Sequence, residues 1–391
     1  MSDVVVSFVF KGYLGEAYGG ERSAAQMLGR TTRPRPIVVL NVEDGLADEF
    51  RSRGVEVRIL PVPNIFAGFR SVPTRERLTR FGAWCAYNVR SYRLLRSLNP
   101  RVVHCNDLEA FVLVAPATLL ARRPVVMHVR CERRMRWFHQ LAMLMATRTV
   151  TVSQGIADLH LRRARRLLRR EIGRRTTVLY NGISLPEIDA HRARTGRAAA
   201  RRALGVHRDE RVVLVVGSLE PRKGQLAFLA AVGPRLAMLP DAHVYLLGGS
   251  KGDADYEASC RELVRRAGLV DRITFVGYTT EIFDWYQAAD VVALASSAEG
   301  LARTALEAGA FARPIVANDI PGMDEAVVDG VSGILVPLGA WNAHGDAVVS
   351  LLDDPDLRDR LGAGGRRLVE ERFDVEVCAA RFGALLEEAA A

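Results

Sequence analysis

Cysteine is scarce in this chain. Cys85, Cys105, Cys131, Cys260 and Cys378 are scattered, odd in number and never spaced as C-x-x-C. Such a set suggests neither a disulfide framework nor a thiolate metal site, and it fits a reduced, cytosolic setting. Long apolar runs are missing too. The best, Phe111 to Ala121, is well short of the about 18–20 residues that a membrane-spanning helix needs. No basic segment precedes the opening Val-Val-Val, so the N-terminus reads as a first strand and not as a signal peptide. There is no short-period repeat and no low-complexity tract. These gaps argue against membrane-spanning, solenoid, disulfide-stapled and disordered classes.

What remains is a soluble globular composition, 49% hydrophobic over 391 residues, more than one core usually serves. The net charge is +9 and Arg dominates the positive residues, which favours anionic partners such as nucleotides, nucleic acid or an anionic membrane face. Strands and helical patterns alternate throughout, the mark of α/β architecture with parallel sheets. Buried strands are expected at residues 4–10, 37–42, 55–60, 101–104, 124–128, 149–153 and 177–180. A second set is expected at 211–216, 242–247, 272–276, 291–295, 314–317 and 333–336. Between the sets lie the turn Tyr180-Asn-Gly-Ile-Ser184 and a charged, Ala-rich stretch, where the domain boundary is placed. The Arg-rich segment from His160 to Arg175 reads as one helix. Leu161, Leu167, Leu168 and Ile172 form its apolar stripe under a basic face. That helix is either a plain surface helix or a contact for an anionic membrane.

Two acids sit eight positions apart in Ala298-Glu-Gly-Leu-Ala-Arg-Thr-Ala-Leu-Glu-Ala308. As helical neighbours Glu299 and Glu307 would lie about 12 Å apart, too far for the carboxylate pair of a glycoside hydrolase. Two hands on one elongated ligand is the better reading. A carboxylate suits a pair of vicinal hydroxyls. Between the acids, the N–H groups of Leu301, Ala302, Arg303 and Thr304 open a helix whose N-terminus favours an anion. Sugar, diphosphate and ribose in that order describe a nucleotide sugar. Gly217, Ser218, Arg222 and Lys223, at a strand-to-helix turn, offer charge for a departing diphosphate. Lys11 to Ala24 follows the first strand with Gly12, Gly15, Gly19 and Gly20, which allow close backbone approach. His128 ends an expected strand, so it should point into the crevice at the carboxyl ends of the strands. His104 has a similar setting. Asp253-x-Asp255 precedes a helix and reads as capping chemistry rather than a metal site.

Taken together, these segments resemble the retaining glycosyltransferases of family 4 (glycosyl transferases group 1). The resemblance runs along nearly the whole chain and is carried by Glu299-x7-Glu307 and the block to Pro337, by Val216-Gly-Ser-Leu-Glu-Pro-Arg-Lys-Gly224, by Val178-Leu-Tyr-Asn-Gly-Ile-Ser184, by Gly19-Gly20 and by His128. It implies a GT-B fold, two Rossmann-like doubly wound domains facing across a cleft. The first would be residues 1–185, completed by a C-terminal helix, 374–391, that crosses back to it; the second would be 186–373. It also implies that Glu307 binds the ribose, Glu299 the donor sugar and Lys223 the diphosphate. Leu301 to Arg303 would supply backbone donors, Tyr278 would lie near the base, and the catalytic set would be His128, Glu299 and Lys223. Departures are Ser218 where the family usually has Arg, with Arg222 or Arg303 to substitute, and Val129-Arg130 in place of an acid after the cleft His.

The implied activity is retaining transfer from a nucleotide sugar, UDP-linked before GDP-linked, to a sugar or polyol hydroxyl of a cell-envelope glycan, glycolipid or small natural product. No metal or other cofactor is expected, nor is nucleic acid. The expected location is cytoplasmic, with peripheral contact at the inner membrane face left open. A catalytically weak sugar-nucleotide-binding protein of the same fold remains the alternative. An epimerase or phosphorylase on this scaffold, or a nucleic-acid role for the basic helix, has less in the sequence to support it.

Overall fold

The computed structural model describes residues 2–10, 19–63, 74–130, 137–250 and 254–391. Gly12, Gly15 and Asp253 fall outside them. The chain divides into two compact units, Met1–Gly182 with Val375–Ala391, and Ile183–Asp374. Gly182 thus ends the first unit three residues ahead of the sequence boundary. The charged, Ala-rich stretch at the expected boundary folds as two helices of the second unit, Leu185–Arg194 and Arg197–Ala203.

In the first unit, β1 (Ser2–Phe8), β2 (Arg35–Leu40), β3 (Glu56–Ile59), β4 (Pro100–Cys105), β5 (Val125–Val129), β6 (Arg148–Thr151) and β7 (Thr176–Val178) form one sheet. Their order is β3-β2-β1-β4-β5-β6-β7 and the ladders are parallel. Parallel strands covered on both faces read as continuous apolar runs, which is why Val-rich tetrapeptides sufficed to locate them. Val4, Val6, Phe8, Val103, Val125 and Met127 face one core. Val5, Val102, Val126 and Val150 face the other, and there the helix Val375–Ala390 supplies Phe382, Leu385 and Leu386.

The second unit holds β8 (Arg211–Val216), β9 (Ala242–Leu247), β10 (Ile273–Gly277), β11 (Val291–Leu294), β12 (Ile315–Asp319) and β13 (Gly333–Pro337). Their order is β10-β9-β8-β11-β12-β13, again parallel. In this doubly wound order, strand direction of travel reverses between β8 and β11. That switch point opens a crevice at the carboxyl ends of the strands. A buried cluster at the opposite end ties the charged, Ala-rich stretch to this sheet. The Asp290 carboxylate accepts from Arg197, from Arg201 at 2.8 Å and from the Val212 N–H at 2.8 Å.

One expected element is corrected. The Arg-rich segment is not a single helix. It breaks at Ala164, which is extended (φ −71°, ψ 145°), into Gln154–Arg163 and Arg166–Arg175. The next N–H, that of Arg165, donates to the Gln140 side chain at 3.1 Å. The break throws the expected stripe out of phase. Ile172 is buried, Leu161 and Leu168 pack against the core, and Leu167 is 94% exposed.

Candidate functional site

The second unit builds its site on the two strands that flank the switch point. After β8 the chain turns through Gly217 to a short 3-10 turn, Pro221–Lys223, and enters the helix Gln225–Leu236. After β11 it runs through a loop to the helix Arg303–Ala310. Gly224 clamps the two connections together. It has φ +70°, and a Cβ there would fall 2.2 Å from the Ala295 carbonyl oxygen. No L-residue with a side chain fits that conformation and that approach together. The Ser297 N–H donates to the Arg222 carbonyl at 2.9 Å, and Arg222 Nη1 donates to Ala298 O at 2.7 Å.

This close approach delivers Lys223, one of three lysines in the chain, onto Glu299. Lys223 Nζ lies 2.6 Å from Glu299 Oε1, and the two side chains are 15% and 12% exposed. Arg222 stands 3.6 Å from the second oxygen, Glu299 Oε2. Glu220 orders the turn from outside: its Oε1 accepts from Ser218 Oγ at 2.7 Å and from Arg222 Nη2 at 2.8 Å. An ammonium has three donors and a carboxylate about four acceptor sites. The Lys223–Glu299 pair is therefore fixed in place with hydrogen-bonding capacity to spare.

Glu307 occupies the next turn of the helix and is nearly buried. Tyr286 Oη donates to its Oε2 at 2.9 Å, and Arg303 Nε donates to its Oε1 at 2.8 Å. Burial first, and then the Glu307 charge, hold the Tyr286 phenol protonated well above its ordinary range, so it stays a donor. Each carboxylate oxygen takes one protein donor and keeps a lone pair, which leaves two acceptors side by side. At the helix start the N-cap is Ala302, which has no side-chain oxygen to cap the first amides. Leu301 and Ala302 are buried beneath that turn, and Gly300 and Thr304 flank it. Arg303 points its charge at Glu307, so of the two arginines expected to stand in for Ser218, Arg222 is the one beside Lys223. Tyr278 follows β10, the edge strand two places from the switch point, and is exposed. Asp255 lies in the first turn of the helix Ala254–Arg266. Among the described residues, no cluster of three or more His, Cys, Asp or Glu could hold a metal ion.

The first unit corrects one expectation. His128 was expected to point into a crevice, yet it is 1% exposed. Strand alternation turns its ring onto the face beneath the terminal helix, where Phe382 lies 5.6 Å away, ring centre to ring centre. His104 is equally buried beside it. Gly19 and Gly20 open the helix Gly19–Leu28, and a Cβ on Gly20 would meet the Arg130 side chain at 3.1 Å. Arg130 gathers the strand ends of this unit, donating to the Asn106 carbonyl at 2.8 Å and to Asn181 Oδ1 at 2.9 Å. Sequence reasoning singled out neither Tyr286 nor Glu220. Nothing in the spacing of "DWYQ" marks Tyr286 as the partner of an acid 21 residues on.

Two doubly wound parallel units, with a matched acid and base at the switch point of the second, define a GT-B type α/β protein. Comparison with known proteins sharpens the class. Residues 44–186 match the model for Glycosyltransferase Family 4, and residues 210–354 match that for Glycosyl transferases group 1. Each unit thus matches a glycosyltransferase model of this group, and the chain is similar to that family along both. It is 36% identical over 173 residues to a D-inositol 3-phosphate glycosyltransferase of Kribbella flavida, covering 42% of this chain and 41% of that one. It is 31% identical over 214 residues to the lipopolysaccharide core biosynthesis mannosyltransferase LpsB of Rhizobium meliloti, covering 54% and 60%. The chain spans about half the length of the curated relatives it matches. Among solved structures, Anabaena Alr3699/HepE in complex with UDP-glucose superposes with a TM-score of 0.79 at 21% identity, over 98% of this chain and 99% of that one. A glycosyltransferase from Rickettsia africae gives 0.81 at 16%, over 99% and 98%. At those identities the likeness is one of fold.

Proposed function

We propose that this protein transfers a hexose, with retention, from a nucleotide sugar to a hydroxyl of a sugar or polyol acceptor. The observation that carries this is the arrangement of the two acids in the second unit. Each is held by protein cations or donors, and each keeps unused acceptors at the switch-point end of the sheet. Glu307 would take the vicinal ribose hydroxyls. Lys223 and Arg222, with the uncapped amides of the helix Arg303–Ala310, would take the diphosphate. Glu299 would take the donor sugar. The diphosphate leaves as its bond to the anomeric carbon breaks, and the acceptor oxygen bonds to that carbon from the same face. The acceptor proton passes to the leaving phosphate. The chain supplies orientation and stabilisation of the developing charge, with the cations of Lys223 and Arg222 in the place a metal would otherwise fill.

UDP-glucose or UDP-N-acetylglucosamine is the favoured donor, with GDP-mannose next. The UDP-glucose complex of Anabaena Alr3699/HepE supports the first, and the mannosyltransferase relative supports the second. The D-inositol 3-phosphate glycosyltransferase relatives support a polyol acceptor; a cell-envelope glycan or glycolipid is the other. The test is product analysis after incubation with UDP- and GDP-sugars and a polyol and glycan panel. A new α-linked product from an α-linked donor supports the proposal. An inverted linkage refutes the stereochemistry, and absence of any product with every donor refutes transfer.

We also propose peripheral contact with an anionic membrane. It is supported by the arginines of the helix Arg166–Arg175 around exposed Leu167, and by Trp137, which is 66% exposed on the helix Trp137–Met145. Sedimentation with anionic but not zwitterionic vesicles is the expected result. Sedimentation with neither kind of vesicle, or equal sedimentation with both, would remove it.

A further inference from the structure

In the second unit, the carbonyl oxygen of Ala295 is held from both strands that flank β11. From the β8 side comes Gly224, where a Cβ would fall 2.2 Å from that oxygen. From the β12 side comes Asn318, whose Nδ2 donates to it at 2.8 Å. The same amide nitrogen donates to Ser296 O at 3.2 Å. Asn318 is 1% exposed, and Ala295 and Ser296 are buried with it.

The sheet puts Asn318 there. The ladder between β11 and β12 runs from Val292 opposite Ile315 to Leu294 opposite Ala317 and then stops. One more step would set Ala295 opposite Asn318, but the chain leaves β11 at that point to reach Glu299. On its other side Asn318 still pairs with Val336 of β13. Its backbone therefore stays in the sheet while its side chain replaces the missing rung. A carbonyl accepts and cannot donate, so two buried carbonyls need two donors. The NH2 of asparagine supplies both from one short side chain; aspartate, leucine, serine and threonine do not. Asn318 Oδ1 is buried without a hydrogen-bond partner among the described residues, so the amide serves through its donors alone. Four residues separate β11 from Glu299, and each is tied down. Asn318 takes the carbonyls of Ala295 and Ser296. The Arg222 carbonyl takes the Ser297 N–H at 2.9 Å, and the Arg222 side chain takes the Ala298 carbonyl at 2.7 Å. Without Asn318, two buried carbonyls lose their partners, and the segment recovers them only by shifting toward water and carrying Glu299 with it.

We propose that Asn318 is a positioning residue for the donor sugar: through the segment from Ala295 to Ala298 it sets where the Glu299 carboxylate stands, and so how the sugar is held. This rests on the nucleotide-sugar reading of the site given above. Asn318 is buried behind the segment and acts through Glu299, not by contact with the ligand. Glu307 is held separately, by Tyr286 and Arg303, so the nucleotide end does not depend on Asn318.

Leucine has the branched shape of asparagine, no donor and no unpaired oxygen, so Asn318→Leu keeps the packing and removes the two bonds. Should that variant not fold, Asn318→Ser, whose hydroxyl is too short to reach both carbonyls, takes its place in the same measurements. UDP and UDP-glucose, and GDP and GDP-mannose, are titrated into wild type, Asn318→Leu, Glu299→Gln and the double variant. For the pair that wild type binds, Asn318→Leu should keep the free diphosphate within about threefold and weaken the sugar-linked form at least about tenfold. In the Glu299→Gln background the same substitution should change the sugar-linked affinity by less than about threefold, because the group it positions is already gone. Equal loss for both ligands would make Asn318 merely structural and overturn the proposal. So would an equal loss of the sugar-linked form with and without Glu299, or no loss at all. Failure of wild type to bind any of the four would instead bring down the nucleotide-sugar reading, and this proposal with it.

Discussion

Replacing Glu307 by glutamine separates holding the fold from holding the ligand. In the free protein, Tyr286 donates to one carboxylate oxygen at 2.9 Å and Arg303 to the other at 2.8 Å. A glutamine can satisfy both contacts. Its carbonyl accepts from Arg303, and its amide donates to the Tyr286 oxygen after the hydroxyl rotates. The structural cost should therefore be about 1 kcal/mol, one charge-assisted bond exchanged for a neutral one. The ligand has no such freedom. Vicinal ribose hydroxyls would meet one acceptor and one donor in place of two charged acceptors. Losing about 1 kcal/mol at each of two contacts gives about 2 kcal/mol, or roughly thirtyfold in Kd. Calorimetric titration of the nucleoside diphosphate into wild type and Glu307→Gln, with thermal unfolding of both, checks the figure. An affinity within threefold of wild type would refute the ribose assignment. A melting temperature falling as steeply as the affinity would refute the separation.

Other outcomes follow from the same geometry. Gly224→Ala meets a positive φ and a carbonyl 2.2 Å from the new Cβ. It should cost about 2–4 kcal/mol in the second unit and weaken nucleotide binding, because the turn that seats Lys223 must move. Denaturant unfolding gives the first result and titration the second; full stability in this variant would refute the clamp. Acid should destabilise both units. His104 and His344 are buried neutral with values pushed down to about 3 and about 4 by desolvation. Both folded values lie below the unfolded value. Their contribution is whole above pH 6.5 and drains away as the pH falls, the His344 part being gone by about pH 4 and the His104 part by about pH 3. For His344 alone that is up to about 3 kcal/mol. Unfolding free energies measured from pH 7 to 4 should fall, and less so in His344→Phe; a flat profile would contradict the buried neutral state.

The strands were legible in the sequence because both faces of each sheet are covered. Val-Val-Leu-Val or Val-Val-Met-His has no other place to go in an alternating α/β chain. The pairing of Lys223 with Glu299 was half legible. Both residues were picked for a diphosphate and a sugar, but their contact spans 76 positions and depends on Gly224 allowing two turns to meet. His128 was placed on its strand correctly and its side chain wrongly. Sequence gives the strand end, whereas the face a side chain takes depends on what covers it, here Phe382 from the far end of the chain. The break at Ala164 was invisible for a related reason. Alanine favours helix, and the local preference yields to burial of Ala164 and to the bond from the Arg165 N–H to Gln140. Arg201 read as part of a charged, Ala-rich stretch, yet it is buried on Asp290, 89 residues away.

The central claim is that the switch-point acids and bases of the second unit hold a nucleotide sugar. A thermal-shift panel with UDP, GDP, ADP and CDP, each free and sugar-linked, tests it most directly when run on wild type, Lys223→Met and Glu299→Gln. A bound ligand raises the melting temperature in proportion to RT ln(1 + [L]/Kd). The account predicts a dose-dependent rise for one base. Lys223→Met should lose the response to the diphosphate, and Glu299→Gln should lose only the increment added by the sugar. No rise with any nucleotide, or an equal rise in all three proteins, would contradict it.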